Sequence, residues 1–209
     1  MRSITIKRVN YTLFLTISCV VSHFTVLSAS GQALPNRTGL KVGFNLAKFT
    51  VSQPIEARLE NQSIPAFHVG AFHRHWLSKR VALQSELLYS LKGAQFTQPT
   101  GSYVQYAHYL NGVLLANYLI GERIAVEVGP EIGYLLGGNS RVIDLSNRVD
   151  VGVDVGLRYS LSKYVDLGLR YSFGLSQVAS YQSITSTGVT QGETALRNRV
   201  AMLSLGYLF

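Results

Sequence analysis

At 209 residues, with 47% hydrophobic and 14% charged residues, the chain has the size of one domain or of a single closed barrel. The net charge of +8 is scattered rather than gathered into a stripe, which argues against nucleic acid as a partner. The one cysteine, Cys19, excludes a disulfide framework.

The first 33 residues read as a secretory signal peptide that is removed. Arg2, Lys7 and Arg8 form a basic lead, an apolar run follows from Tyr11 to Val21, and Ser28, Ala29, Ser30, Gly31 and Ala33 supply small residues for cleavage. The apolar run is too short for a comfortable membrane span. Cys19 lies inside it, and Thr16 stands three residues earlier where a lipidation site wants an aliphatic side chain, so Cys19 reads as a passive apolar residue.

The remainder, 34–209, contains no apolar stretch of helical spanning length, but alternating segments recur along it. Eight are recognised: Gly39 to Phe49, Ala66 to Leu77, Val81 to Lys92, Tyr106 to Leu119, Ile124 to Leu136, Arg148 to Ser160, Tyr164 to Ser176, and Arg197 to Phe209. The connections alternate in length. Those built on Ser78-Lys79, Gly121-Glu122 and Leu161-Ser162-Lys163 are tight, whereas those at Thr50 to Ile64, Ala94 to Gln105, Gly138 to Asn147 and Gln177 to Leu196 are long and polar. A meander of this kind has every long loop at one end, the form of bacterial outer-membrane barrels with periplasmic termini.

The sixth and seventh segments show the alternation most sharply. Val149, Val151, Val153, Val155, Leu157 and Tyr159 alternate with Asp150, Gly152, Asp154, Gly156, Arg158 and Ser160; Val165, Leu167, Leu169, Tyr171 and Phe173 alternate with Asp166, Gly168, Arg170 and Ser172. Successive side chains of a strand point to opposite faces, so one face is apolar and the other charged or glycyl. A soluble lipocalin-like barrel would turn the apolar face inward. Here the polar face carries Lys41, Glu86, Glu127, Glu131, Asp150, Asp154, Arg158, Asp166 and Arg170 among glycines, which suits the narrow interior of an eight-stranded barrel as a polar network. Tyr89, Tyr134, Tyr159, Tyr171, Phe173 and Tyr207 lie near the ends of apolar rows, as interfacial girdles require. With the last tight turn centred on Ser162, Arg158 is expected to face Asp166, and Asp154 to face Arg170.

The chain resembles the PorT-type outer-membrane β-barrel family, common in Bacteroidetes. The resemblance runs through GLKVGFNLAKF from Gly39, FHVGAF from Phe67, LQSELLYSLKGAQF from Leu83, VEVGPEIGYLLGG from Val126 and RNRVAMLSLGYLF from Arg197. It implies an eight-stranded antiparallel transmembrane barrel in the outer membrane of a Gram-negative cell, surrounded by lipid and lipopolysaccharide. It also implies insertion by the barrel assembly machinery through a terminal signal, here Tyr207 and Phe209. The founding association of the family is with type IX secretion. The chain departs from the family pattern at Asn111, Val113 and Asn117, where acidic, proline and basic residues are common, and at Ser85 and Leu91.

His73 and His75 share a strand face but lack further ligands, so no metal site is expected. His68 and His108 are candidate bases for lipid A hydrolysis or acyl transfer, yet no nucleophile motif accompanies them; His68 reads as an interior polar residue and His108 as a loop-end residue. Glu127 and Glu131, four apart on a strand, would stand roughly 13 Å apart, too far for a glycosidase pair. The expected role is that of a non-enzymatic structural or surface-interaction protein without cofactor. The alternatives are an accessory part of a secretion or envelope complex, with envelope proteins as partners, and a lipid A-modifying enzyme.

Overall fold

The computed structural model describes residues 34–51, 60–98, 101–139, 147–184 and 190–209. The expected leader and Cys19 lie outside the described residues, as do parts of all four expected long loops.

Every regular element among the described residues is a strand. Eight long ones are β1 (Arg37–Val51), β3 (Ile64–Trp76), β4 (Val81–Gln98), β5 (Gly101–Ile120), β6 (Ile124–Gly138), β7 (Val149–Ser160), β8 (Val165–Gly174) and β10 (Thr190–Leu208). Each pairs antiparallel with its neighbours in that order, and β10 returns to β1 from Gly39↔Leu208 to Val51↔Leu196, so the sheet closes on itself. Closure leaves no free edge along the wall, the condition for a sheet in lipid. The strands overlap the eight segments read from the sequence.

Two short strands, β2 (Glu60–Gln62) and β9 (Ala179–Ile184), occupy stretches expected to be loop; β2 pairs with β4 and β9 with β10. The second expected loop, Ala94 to Gln105, is also mostly strand: β4 and β5 stay paired to Gln98↔Gly101. Cross-strand neighbours such as Phe96↔Tyr103 and Gln95↔Val104 favour that extension. Periodicity missed it because a strand standing above a bilayer no longer needs an apolar outer face.

The three tight turns lie at the opposite end, and two of them are built alike. Leu77-Ser78-Lys79-Arg80 and Leu161-Ser162-Lys163-Tyr164 precede Val81 and Val165. In each, the N–H groups of the Leu and the Ser donate to the carbonyl of that valine. The serine Oγ accepts in return from the two residues that end the turn, at 3.3 and 3.1 Å for Ser78 and at 3.1 Å twice for Ser162. The third turn instead places Gly121 at φ +69°, a left-handed conformation that favours glycine.

These turns set a register that differs from the expected one. Ser160 lies opposite Asp166, Arg158 opposite Gly168 and Gly156 opposite Arg170, a displacement of two residues from direct Arg158–Asp166 and Asp154–Arg170 pairs. Two residues is one full side-chain period, so every charge still points inward.

Outward positions form the apolar belt: Leu40, Val42, Phe44 and Leu46 on β1 and Leu203, Leu205 and Tyr207 on β10 are exposed, while their alternates are covered. The inner surface is less uniformly polar than expected. Leu88, Val113 and Leu115 pack together in the lumen, and Ala47, Ile64, Val200 and Met202 form a second apolar group toward the long-loop end. Phe49 and Phe96, both buried, stack there with ring centroids 6.1 Å apart. A narrow barrel must be filled as well as neutralised, and apolar side chains fill volume at no desolvation cost.

Candidate functional site in the barrel lumen

Inward-pointing positions of six strands converge on a network of ion pairs. Among the described residues six carboxylates (Glu86, Glu127, Glu131, Asp150, Asp154, Asp166) and five cations (Lys41, Arg74, Lys92, Arg158, Arg170) are buried. Near-equality of the two signs makes the lumen self-compensating, as burial of so many charges demands.

Arg170 on β8 is the hub. Its guanidinium makes a two-pronged contact with Glu86, Nη1 to Oε2 at 2.8 Å and Nη2 to Oε1 at 2.9 Å, and Nη2 also donates to Glu127 Oε2 at 3.1 Å. β8 and β4 are four strands apart around the eight-membered ring, so the Arg170–Glu86 pair crosses the lumen from wall to opposite wall. Lys41 also donates to Glu86, and Gln84 Nε2 reaches the same carboxylate at 2.5 Å. A carboxylate that accepts a planar fork plus further donors has its lone pairs filled, the arrangement in which a buried pair repays its desolvation.

Toward the tight turns, Arg74 bridges Gln84 Oε1 at 2.7 Å and Asp166 Oδ2 at 2.8 Å, while Arg158 contacts Glu127 at 3.3 Å and Asp166 at 3.5 Å. Toward the long loops, Lys92 joins Glu131 at 2.6 Å and Asp150 at 3.2 Å; Asn198 donates to Asp150 Oδ2 at 2.8 Å and Ser176 to its Oδ1 at 2.9 Å. Lys92 also stands 4.9 Å from the ring centre of Tyr109.

All nine residues expected in the interior are thus buried, and each has an ionic partner. The two pairings named from the sequence survive only as long contacts, 3.5 Å for Asp154–Arg170 and 3.5 Å for Arg158–Asp166; the shorter partners are Glu86 for Arg170 and Arg74 for Asp166. Arg74 and Lys92 were missed. Strand parity marks both: Arg74 shares a face with Phe72 and His68, and Lys92 with Glu86 and Ser90.

The histidines separate. His68 is buried with Nδ1 2.6 Å from Asn45 Oδ1, in the pocket that Gly43 leaves open beside its ring. His108 lies within β5 rather than at a loop end, because β5 begins at Gly101; it faces outward and meets the Tyr89 hydroxyl at 2.6 Å. His73 is exposed beside Thr38, with Nδ1 3.0 Å from Oγ1. Among the described residues no three His, Cys, Asp or Glu side chains come together as a metal site. Glu127 and Glu131 serve different partners, the arginines and Lys92 respectively. Tyr207 and Phe209 are exposed at the tight-turn end, their rings edge to face at 5.7 Å.

A closed antiparallel wall with an apolar exterior and an ionic interior is the physical form of a membrane barrel. Residues 31–180 match the family model described as outer membrane protein beta-barrel domain. The chain belongs to that family. Among solved structures, it is similar to the outer membrane protein OprG from Pseudomonas aeruginosa at 12% identity and TM-score 0.50, covering 86% of this chain and 98% of that one. It is likewise similar to Neisserial surface protein A at 12% identity and TM-score 0.50, covering 84% of this chain and 100% of that one. At such identities the likeness is one of fold. No curated protein matches the sequence. The barrel resides in the outer membrane, with Leu40, Phe44, Leu169 and Leu203 among the side chains of its lipid-facing belt.

Proposed function

We propose that this outer-membrane barrel is non-enzymatic and closed to solutes, and that it acts as a structural or surface-interaction protein through its long-loop end. The observation that carries this reading is the Arg170–Glu86 contact across the lumen, reinforced by Lys41 and Glu127. A pore needs a continuous polar space, whereas here side chains from opposite walls meet, with apolar groups filling between them. Binding then falls to the loops, which a rigid scaffold holds at one end.

Placement within the PorT-type group is the finer proposal, supported by the sequence motifs quoted above. On that reading a leader ending near residue 33 is removed, Tyr207 and Phe209 serve recognition by the assembly machinery, and lipopolysaccharide packs against the belt. The partner would be an envelope protein. Neither candidate base favours lipid A chemistry, since His68 is tied to Asn45 and His108 to Tyr89.

Purified barrel reconstituted in planar bilayers should show no steady conductance, and lipid A from a deletion strain should have an unchanged mass spectrum. Cross-linking in intact cells should give a discrete adduct through the long loops. Steady channels, or lipid A species altered by deletion, would overturn the reading.

A further inference from the structure

The tight-turn end of the barrel opens into a cavity of about 370 Å³ whose charge is one-sided. Arg74 and Arg158 line it with Asp166, and Arg37, Arg123 and Lys163 line it with Glu122, so five cations face two carboxylates. Asp166 is already shared, accepting from Arg74 at 2.8 Å and contacting Arg158 at 3.5 Å. Glu127 also offsets Arg158, so the excess of positive charge lies at the rim, where Arg37, Arg123 and Lys163 stand with Glu122.

Arg158 is incompletely satisfied. Its Nη1 donates to Ser160 Oγ at 2.9 Å and its Nε lies 3.3 Å from Glu127, but the buried Nη2 has no hydrogen-bond partner among the described residues. A buried donor on a charged group without a partner is destabilising. Arg37 spends a donor on the carbonyl of Lys163, and Lys163 holds its ammonium 4.8 Å from the ring centre of Tyr164. Neither contact neutralises a charge. Apart from Ser160 and Ser162, the rest of the lining is apolar and includes Trp76, Leu119, Leu161 and Leu208.

We propose that this mouth binds a small amphipathic anion, a carboxylate or phosphate monoester on an apolar or ring-bearing body. The anionic group sits among the rim cations beside the Arg158 guanidinium, and the body lies against Trp76 and the leucines. This site is independent of the surface role proposed above, since it lies at the opposite end of the barrel.

Trp76 is the chain's single tryptophan, so its fluorescence reports on the cavity directly. The full barrel in nanodiscs of zwitterionic lipid is titrated with phenyl phosphate, benzoate, inorganic phosphate and benzyl alcohol, with calorimetry on the same samples in case the indole is optically silent. Saturable binding of phenyl phosphate or benzoate is expected, with the tighter of the two identifying the anionic group, and benzyl alcohol and inorganic phosphate should each bind at least about tenfold more weakly. The rim double variant Arg123→Gln/Lys163→Gln should weaken binding by about tenfold, the loss of roughly one charge-assisted hydrogen bond. Arg158→Gln should weaken it further. No saturable binding of either aromatic anion, equal binding of benzyl alcohol or inorganic phosphate, or undiminished binding by the rim variant would overturn the proposal.

Discussion

Replacing Arg170 by methionine should be the most damaging single change in the lumen. The guanidinium serves Glu86 through two bonds at 2.8 and 2.9 Å, Glu127 at 3.1 Å and Asp154 at 3.5 Å. Without it, Glu86 retains Lys41 and Glu127 retains Arg158, while Asp154 loses the cation it contacts. Removing one partner of a buried pair costs about 3–5 kcal/mol, and with three carboxylates affected the upper part of that range is expected. Arg170→Lys should rescue little, because a point charge cannot make the planar fork.

A double-mutant cycle separates the partners. Coupling between Arg170→Met and Glu86→Gln should reach about 2–3 kcal/mol, whereas coupling between Arg170→Met and Asp154→Asn should stay below about 1 kcal/mol, as the longer contact implies. Stability is read from urea unfolding in micelles by Trp76 fluorescence and by the mobility difference between folded and unfolded barrel on unheated gels. Equal or larger coupling at Asp154, or a cost below about 1 kcal/mol for Arg170→Met, would refute the assignment of Glu86 as the principal partner.

Other expectations follow from the wall and the turns. Leu203 and Tyr207 are equally exposed on β10, but Leu203→Arg should cost about 2–4 kcal/mol by placing a charge deep in hydrocarbon while Tyr207→Arg near the interface costs at most about 1, both measured by urea unfolding in bilayers. Gly43→Val should destabilise by about 1–3 kcal/mol because its side chain meets the Leu203 carbonyl and the His68 ring, whereas Gly112→Ala, whose Cβ meets only the Ile132 carbonyl at 4.0 Å, should stay within about 0.5 kcal/mol. Ser162→Ala and Ser78→Ala should each cost about 1 kcal/mol by orphaning two turn N–H groups, with no change in the folded gel band. An epitope inserted at 140–146 should be stained on intact cells and one after Lys79 only after permeabilisation; the reverse would invert the topology.

What the sequence disclosed was parity. Alternation from Val149 to Phe173 assigns each side chain to lumen or lipid without reference to any other strand, and the same rule applied to β3 and β4 would have added Arg74 and Lys92. It failed where the constraint lapses: above the belt, β4 and β5 continue as strands through polar sequence, and β2 and β9 leave no periodic trace. Partner identity was beyond it for a different reason. Counting outward from Ser162 yields neighbours on adjacent strands, but Glu86 and Arg170 are 84 residues apart and meet because ring closure sets β4 against β8.

Parity also leaves one freedom that the network removes. A strand shifted by two residues keeps all its apolar side chains in lipid and all its charges inside, so the hydrophobic pattern cannot tell the native register from its neighbours two residues away. Such a slip of β8 would carry Arg170 about 7 Å along the barrel wall, out of reach of Glu86 and Glu127 together. Well-packed apolar residues of equal volume could match the stability of these ion pairs, but they would do so almost equally in the slipped register. The serine-closed turns pin each hairpin locally, and Arg170, tied to carboxylates on β4, β6 and β7, pins the hairpins to one another. If that division is right, the Ser162→Ala barrel keeps its register through the network, and Ser162→Ala combined with Arg170→Met should lose more than the sum of the two. Cysteine pairs placed outside the network, at Leu157/Leu169, Val155/Leu169 and Tyr159/Leu169, would read the shift directly, cross-linking at the first in the native register and at one of the other two after a slip of two in either direction.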